Sequence, residues 1–148
     1  MENLIKNEKH NIDLQNTLNI DEILEAAEHV DRDYIENHSL KTISKEIYEC
    51  LQEEKVPINE IYNYCQKLLQ YKYIDTIHHV HKGKHIRWLR NGKLTNGGIV
   101  VDVKFLENGT HILCKSMNRF IQYKFDDCLT FQKLTSQELL ILQVKDQI

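Results

Sequence analysis

The densest group of side chains that could do chemistry lies in residues 78–93, HHVHKGKHIRWLRNGK. Lysine and arginine neutralise phosphate groups, and an aromatic ring can stack on a nucleobase. The segment therefore predicts a nucleic-acid contact, with DNA or RNA, on a basic β-hairpin. The residues expected to bind are Lys82, Lys84, His85, Arg87, Trp88, Arg90 and Lys93. The alternative is a solvated hairpin that Trp88 anchors in the core.

The histidines of the same segment raise metal binding as a second chemistry. His79 and His81 share one face of the expected strand, and a third histidine or a cysteine could complete a site. Zinc sites usually show tighter ligand spacing, and no acidic residue lies beside these two. No metal ligand and no cofactor is therefore expected. The sequence leaves open whether His78, His79, His81 and His85 bind a metal.

Aromatic residues suggest a third chemistry, a cage for methyl-lysine or methyl-arginine built from Trp88, Phe120, Tyr123 or Phe131 through cation–π contacts. Alternation along the strands places Tyr123 and Phe131 inward, which favours core packing. Catalysis has little support, because the chain contains no GxGxxG, P-loop, HExxH or GxSxG motif. The protein is expected to be non-enzymatic, with no catalytic residues.

Charge is distributed unevenly along the chain, although the net charge is only −3. Residues 1–71 contain 15 acidic and 7 basic side chains, a net of −8, whereas residues 72–134 contain 5 and 11, a net of +6. Such asymmetry is typical of proteins with nucleic-acid or membrane partners. Mutual attraction of the two halves is the alternative. No run approaches the ~18 apolar residues of a membrane span, so no membrane partner is expected.

The N-terminus, MENLIKNEKHNIDLQN, lacks the apolar region of a secretory signal, which predicts an intracellular, cytoplasmic protein. The cysteines are spread singly without a CxxC pair and are expected to be reduced thiols: Cys50, Cys65, Cys114 and Cys128.

Helical periodicity predicts three helices in the first half. The first begins near Asn19 and ends in the polar stretch DRDYIENHS, and the second follows Ser39 as N-cap. The third is expected from about Pro57 to Tyr71. Their apolar faces are Ile20, Ile23, Leu24, Ala27 and Val30; then Leu40, Ile43, Ile47 and Leu51; then Ile58, Ile61, Cys65 and Leu68, flanked by Tyr62 and Leu69.

Period-two alternation predicts strands in the second half. Residues 73–81 and 84–90 are expected to form a hairpin around Lys82-Gly83. Asn108-Gly109 and Met117-Asn118 are expected as two-residue loops of a three-stranded meander, followed by a last strand, 129–133. The first loop would pair Phe105 with Ile112, Val103 with Cys114 and Asp102 with Lys115. The second would pair Cys114 with Ile121 and Ile112 with Tyr123. The inward residues of the first meander strand would be Ile99, Val101, Val103 and Phe105.

The last helix should begin at a capping box formed by Thr135 and Glu138. It is apolar over much of its circumference, so it either plugs the open end of the sheet or binds a partner. The partner-binding residues in the second case are Leu139, Leu140, Leu142 and Val144, and self-association is one form of it. This leaves a protein-interaction adaptor as the alternative function.

The resulting fold class is α+β, with an N-terminal helical part, a small antiparallel β-meander and a C-terminal helix. The chain divides into a flexible lead-in (1–18), an acidic helical part with a β-hairpin (19–90), and a basic β part with the C-terminal helix (91–148). Two assemblies fit. One is a winged helix formed by the second and third helices with the 73–90 hairpin. The other is a five-stranded SH3-like or Tudor-like barrel over 84–133, and the two could share the 84–90 strand.

Residues 84–142 resemble a family of small uncharacterised proteins of large DNA viruses, through HIRWLR, KLTNGGIV, ILCK, NRFIQYKFD and FQKLTSQE. Lysine outnumbers arginine 15 to 4, which is typical of an AT-rich coding genome and agrees with the resemblance. The resemblance implies a viral protein in the host cytoplasm. It implies no activity and no site residues.

Overall fold

A computed structural model describes residues 30–147 of the chain. The predicted lead-in and the first predicted helix, up to residue 29, lie outside the described residues. The helices are α1 (Arg32–Asn37), α2 (Leu40–Glu53), α3 (Ile58–Lys67) and α4 (Ser136–Asp146). The strands are β1 (Tyr71–Ile74), β2 (His85–Arg90), β3 (Lys93–Leu94), β4 (Gly98–Leu106), β5 (Gly109–Ser116), β6 (Arg119–Lys124) and β7 (Leu129–Lys133). Single 3₁₀ turns span Ile77–His79 and Phe125–Asp127.

Side-chain caps explain where two of the helices begin. Ser39 caps α2 and forms a capping box with Thr42, which confirms the predicted start. Asp31 caps α1 by accepting a hydrogen bond from the Tyr34 amide. This helix was not predicted: the polar stretch was expected only to end the first helix, but Asp31 is an N-cap and Ile35 is buried.

Helix α3 is shorter than predicted. It ends at Lys67, and Tyr71 already belongs to β1. Ile61 and Leu68 are buried as expected, but Tyr64 completes the buried face. The predicted members Ile58, Tyr62 and Leu69 are exposed instead.

Within the described range, seven strands form one antiparallel sheet in the order β1-β7-β2-β4-β5-β6, with β3 paired to β2. The hairpin predicted between residues 73–81 and 84–90 is wrong, because β7 lies between β1 and β2 and pairs with both. A local turn at Lys82-Gly83 was favoured by sequence, yet both strands pair with a segment more than 40 residues away. The division proposed at residue 90 falls inside this continuous sheet.

The meander β4-β5-β6 confirms one predicted register and corrects the other. Cys114 faces Ile121 and Ile112 faces Tyr123, as predicted. Between β4 and β5, however, Leu106 pairs with Gly109, so the loop is 107–108 rather than Asn108-Gly109. The predicted pairs of that hairpin are therefore wrong: the observed partners are Phe105 with Thr110, Val103 with Ile112 and Asp102 with Leu113.

A β-bulge between Val100 and Asp102 also overturns most of the predicted inward face of β4. An extra residue in one strand switches the faces of the side chains that precede it. Val100 is buried in consequence, while Ile99 and Val101 are exposed. Beyond the bulge Val103 is partly buried as predicted, and Phe105 is exposed although it lies on the same face as Val103.

Two hydrophobic clusters lie on opposite sides of β2. The first packs the helices on the sheet and includes Ile43, Ile47, Leu51, Ile61, Leu68, Tyr71, Leu89, Phe131, Leu134 and Leu142. The second fills the concave side of the sheet with Ile74, Val80, Ile86, Trp88, Val100, Ile112, Cys114 and Tyr123. Because Ile74 of β1 and Tyr123 of β6 meet in one cluster, the sheet curls strongly. It is not closed, since β6 does not pair with β1.

Helix α4 begins at the predicted capping box of Thr135 and Glu138 and holds α1 at both ends. Glu138 Oε2 lies 3.4 Å from the amide nitrogen of Asp31, which donates to it. Lys145 Nζ donates to the carbonyl oxygens of Ile35, Glu36 and His38, each at 2.9 Å. A cation at a helix C-terminus also complements the helix dipole. No helix in the described part of the chain is long and apolar enough to cross a membrane.

Candidate nucleic-acid interface

Strand β2 sends the residues of the basic segment to opposite sides of the sheet. Ile86 and Trp88 point into the concave cluster, whereas His85 and Arg87 point to the convex side. The predicted nucleic-acid contact is therefore not one surface. The sequence contains this information, because the polar His85 and Arg87 alternate with the apolar Ile86 and Trp88.

Trp88 is a core residue and not a surface for base stacking. Its side chain is 5% exposed, and its ring stacks on Tyr123 with centroids 4.1 Å apart. This corrects its assignment to the binding residues and removes the predicted aromatic cage, because Tyr123 and Phe131 are buried as well. Phe120 alone of the four proposed cage residues is exposed, at 63%.

Lys84 is also buried, at 6% exposure, which corrects its assignment as a surface phosphate contact. Its Nζ lies 3.7 Å from Oε1 of the fully buried Glu138. Lys72 lies 4.0 Å from the other oxygen of this carboxylate and 3.8 Å from Asp31. Burial lowers the pKa of the Lys84 ammonium, and the Glu138 charge opposes that shift. The group joins β1 and the residue before β2 to α4.

The outer members of the predicted set are exposed. Lys82 lies 3.5 Å from Asp102 in an exposed ion pair. Arg90 and Lys93 flank the turn at Asn91, which has a positive φ of 53°. Arg90 and Lys93 pair across the turn as the last residues of β2 and the first of β3, so they lie at one end of the sheet, away from Lys82.

His85 and Arg87 belong to a compact polar group on the convex side of the sheet. The Tyr71 hydroxyl lies 2.9 Å from His85 Nδ1, and Arg87 Nε donates to the carbonyl of Thr95 at 2.9 Å. Burial lowers the pKa of the His85 imidazole, and the charges of Lys133 and Arg87 lower it further. No carboxylate in the described part of the chain contributes to that shift. Lys133 and Arg87 are therefore the charged groups that act on the His85 imidazole.

The convex face continues as a row of side chains that crosses five strands. His85 pairs with Ile99, Ile99 with Lys115, and Lys115 with Phe120. Lys133 extends the row on the other side of His85. Ile86 pairs with Gln132, and in an antiparallel pair of strands their neighbours His85 and Lys133 then lie opposite each other. We call Lys133, His85, Ile99, Lys115 and Phe120 the cross-strand row.

The sequence analysis did not single out Lys133 or Lys115, and it considered Phe120 only for a cage. All three are exposed, and Lys115 Nζ lies 5.9 Å from the centre of the Phe120 ring. Alternation along β5 places Lys115 opposite the inward Ile112 and Cys114, whereas Lys133 shares the face of Phe131 at the end of β7. Only the strand order brings the two lysines together. Arg87, Lys115 and Lys133 form no salt bridge with any carboxylate among residues 30–147.

The predicted partner-binding residues of α4 divide in the same way. Leu142 is fully buried and Leu139 packs against the first cluster, so these two belong to the core. Leu140 and Val144 are 61% and 52% exposed, and Ile141 beside them is 46% exposed. The helix therefore both packs on the domain and presents an apolar strip outward.

The histidines of the segment do not converge. The backbone amide of His81 donates to Gln132 Oε1, and Gln132 Nε2 donates to the carbonyl of His79. Within the described residues, no group of three or more His, Cys, Asp or Glu side chains is arranged to hold a metal ion. The cysteines of this range are free thiols, and burial raises the pKa of Cys114 to about 12.

Comparison with protein-family models, with curated proteins and with solved structures found nothing that matches this chain. The contacts described above are therefore the basis for assigning a function.

Proposed function

We propose that this protein is a non-enzymatic nucleic-acid-binding protein whose binding surface is the convex face around His85. The observation that carries the proposal is the group of cations on this face: Arg87, Lys115 and Lys133 share it with His85, and none of the three forms a salt bridge with a carboxylate among residues 30–147. A phosphate backbone is a polyanion that such a group of cations attracts.

The arrangement of the cations suits phosphate contact. Arg87 is positioned by its hydrogen bond to Thr95, so less side-chain freedom is lost when its guanidinium binds. Lys115 and Lys133 stand in the same face on either side of His85. The exposed lysines of α2, Lys41 and Lys45, share that helix with the exposed carboxylates Glu49 and Glu53, and Lys45 lies 4.0 Å from Glu49.

We further propose that residues 84–133 form a small SH3-like barrel. Its support is the strand order, in which the last strand, β7, returns beside the first, β2, after the meander β4-β5-β6. The concave cluster of Ile86, Trp88 and Tyr123 would be its core. The winged-helix alternative has less support, since the hairpin that would form the wing is absent from the described sheet.

The test is fluorescence anisotropy with labelled single- and double-stranded DNA and RNA at low and physiological salt. The variant K115A/K133A is compared with K41A/K45A, which removes two exposed lysines from α2. Both variants lose the same charge, so a general effect of net charge affects them equally. We expect weaker binding for K115A/K133A and wild-type binding for the control.

The salt dependence adds a second readout. For a single strand, log K falls with log[salt] with a slope of about −0.7 per neutralised phosphate. Three contacting cations, Arg87, Lys115 and Lys133, predict a slope of about −2, which drops to about −0.7 in K115A/K133A. Equal loss in both double variants, or no binding at low salt, would exclude this surface.

A second candidate function is self-association, favoured by the exposed apolar strip of α4. Leu140, Ile141 and Val144 lie side by side and are each about half exposed or more. Such strips are typical of protein contacts when they are contiguous. Deleting residues 135–148 cannot test this, because Leu142 and Glu138 are core residues.

Point substitutions separate the two roles of α4. L140S/V144S changes only exposed positions and is expected to leave the fold intact. If the strip mediates self-association, light scattering detects an oligomer in the wild type and a monomer in this variant. A wild-type monomer at high concentration excludes this second function.

The relation to small proteins of large DNA viruses, and a place in the cytoplasm of their host, remain part of the proposal. Their support is the resemblance of residues 84–142 and the lysine-rich composition.

A further inference from the structure

We infer that the ligand of the convex face is a single-stranded nucleic acid, which runs along the cross-strand row and stacks a base on Phe120. The inference rests on the proposed function and deepens it by naming the class of ligand.

The row is one line of side chains, perpendicular to the strands. From Lys133 on β7 to Phe120 on β6 it crosses four strand gaps of about 4.8 Å, a length of roughly 19 Å. Small β domains bind single strands over about four or more nucleotides, so the row has the length of a short single-stranded site.

Along the line the side chains are in turn cationic, imidazole, aliphatic, cationic and aromatic, so that one single strand could contact cations and a ring together. Lys133 and Lys115 are cationic, and each has an apolar or aromatic residue further along the row, Ile99 and Phe120. Cations contact the backbone, and exposed rings stack on bases that are not paired. Phe120 keeps 63% of its surface exposed, and Lys115 lies near its ring as a neighbouring cation.

A duplex would be recognised by other means, and the described residues do not supply them. Duplex readers insert a helix or a β-ribbon into a groove. The row lies on sheet, and α3 contains one cation, Lys67, while it exposes the apolar Ile58 and the aromatic Tyr62. A duplex has no exposed base faces along its sides, so Phe120 would contribute nothing to binding one.

The test uses labelled oligo(dT) and oligo(U) of about 12 nucleotides and a DNA duplex of equal length, each measured by anisotropy at physiological salt. Phe120→Ala is compared with Phe105→Ala. Phe105 is 70% exposed on β4 but pairs with Thr110, outside the row, so it is a matched control. The emission of Trp88 and the thermal midpoint confirm that both variants fold.

We expect single strands to bind more tightly than the duplex, and F120A to lower single-strand affinity about tenfold while F105A leaves it unchanged. If single strand and duplex bind equally and F120A equals wild type, the inference is overturned while the proposed function stands. If no nucleic acid binds even at low salt, the proposed function fails, and the inference fails with it.

Discussion

Trp88 and Tyr123 form a stacked pair across the concave side of the sheet, with ring planes 12° apart. The pair joins β2 to β6, although these strands are separated by β4 and β5 in the sheet order. The Tyr123 hydroxyl in turn lies 2.8 Å from the Thr130 hydroxyl on β7. The contact thus joins β2 and β6 across the core of the curled, open sheet.

Because Trp88 is buried, its substitution should change the stability of the fold and not the affinity for nucleic acid. Trp88→Phe is expected to lower the free energy of unfolding by about 2 kcal/mol through lost packing. Its nucleic-acid affinity should equal that of the wild type. Urea unfolding followed by circular dichroism, together with anisotropy, measures both quantities. Reduced affinity at unchanged stability would place Trp88 in the binding surface after all.

His85 should make both stability and binding depend on pH. Its pKa in the folded protein is lowered from 6.5, so below that value the unfolded chain binds the proton more readily. Its contribution to stability is therefore present above pH 6.5 and is lost as pH falls through the lowered pKa. A bound phosphate favours protonated His85, so affinity should rise over the same range.

NMR titration of the histidines tests this directly. We expect Lys133→Ala to raise the pKa of His85, because it removes one of the positive charges that lower it. Tyr71→Phe, which removes the hydroxyl beside Nδ1, identifies the resonance by perturbing it. An unchanged pKa of His85 in K133A would show that the charge of Lys133 does not act on this imidazole.

The β-bulge in β4 predicts opposite effects at adjacent valines. Val100 is 2% exposed and Val101 is 38% exposed. Val100→Ala should lower the free energy of unfolding by about 2 kcal/mol, whereas Val101→Ala should change it by less than about 0.5 kcal/mol. Chemical denaturation of the two variants provides the measurement. A larger loss of stability for Val101→Ala than for Val100→Ala would show that Val101 points inward, as the sequence predicted.

Glu138 pairs with two buried ammonium groups, those of Lys72 and Lys84, and Asp31 also lies 3.8 Å from Lys72. Glu138→Gln keeps the shape of the side chain but leaves these charges without it, so we expect a loss of about 3 kcal/mol. Glu49→Gln on α2 is the control, because Glu49 forms only an exposed pair with Lys45 and its loss costs less than about 0.5 kcal/mol. Equal stability of the two variants would show that the buried cluster is solvated.

Local signals in the sequence predicted the parts of this fold that are decided locally. Ser39 and Thr135 cap their helices through residues three positions ahead, so the motif is visible in one short window. The loop at Met117 was predicted for the same reason, and Met117 adopts the positive φ that such a loop requires.

Features that depend on pairing between strands far apart in the sequence could not be predicted. Nothing near Tyr71 or His85 indicates that β7 will lie between their strands. The bulge after Val100 could not be read either, because IVVDV fits an unbroken alternation equally well. The same limit explains the candidate site: the basic segment contained His85 and Arg87, but Lys115 and Lys133 join them only through the strand order.

The attachment of α1 to α4 has a consequence for synthesis on the ribosome. Asp31 and Glu138 are 107 residues apart in sequence, which translation covers in about 5–20 s. Throughout that interval Lys72 has no buried carboxylate to pair with, and β1 has no β7 beside it. The nascent helices therefore leave the exit tunnel before the last strand and the last helix, which pack against them, have been synthesised. Strand β7 and helix α4 then complete the packing of the first elements of the described chain.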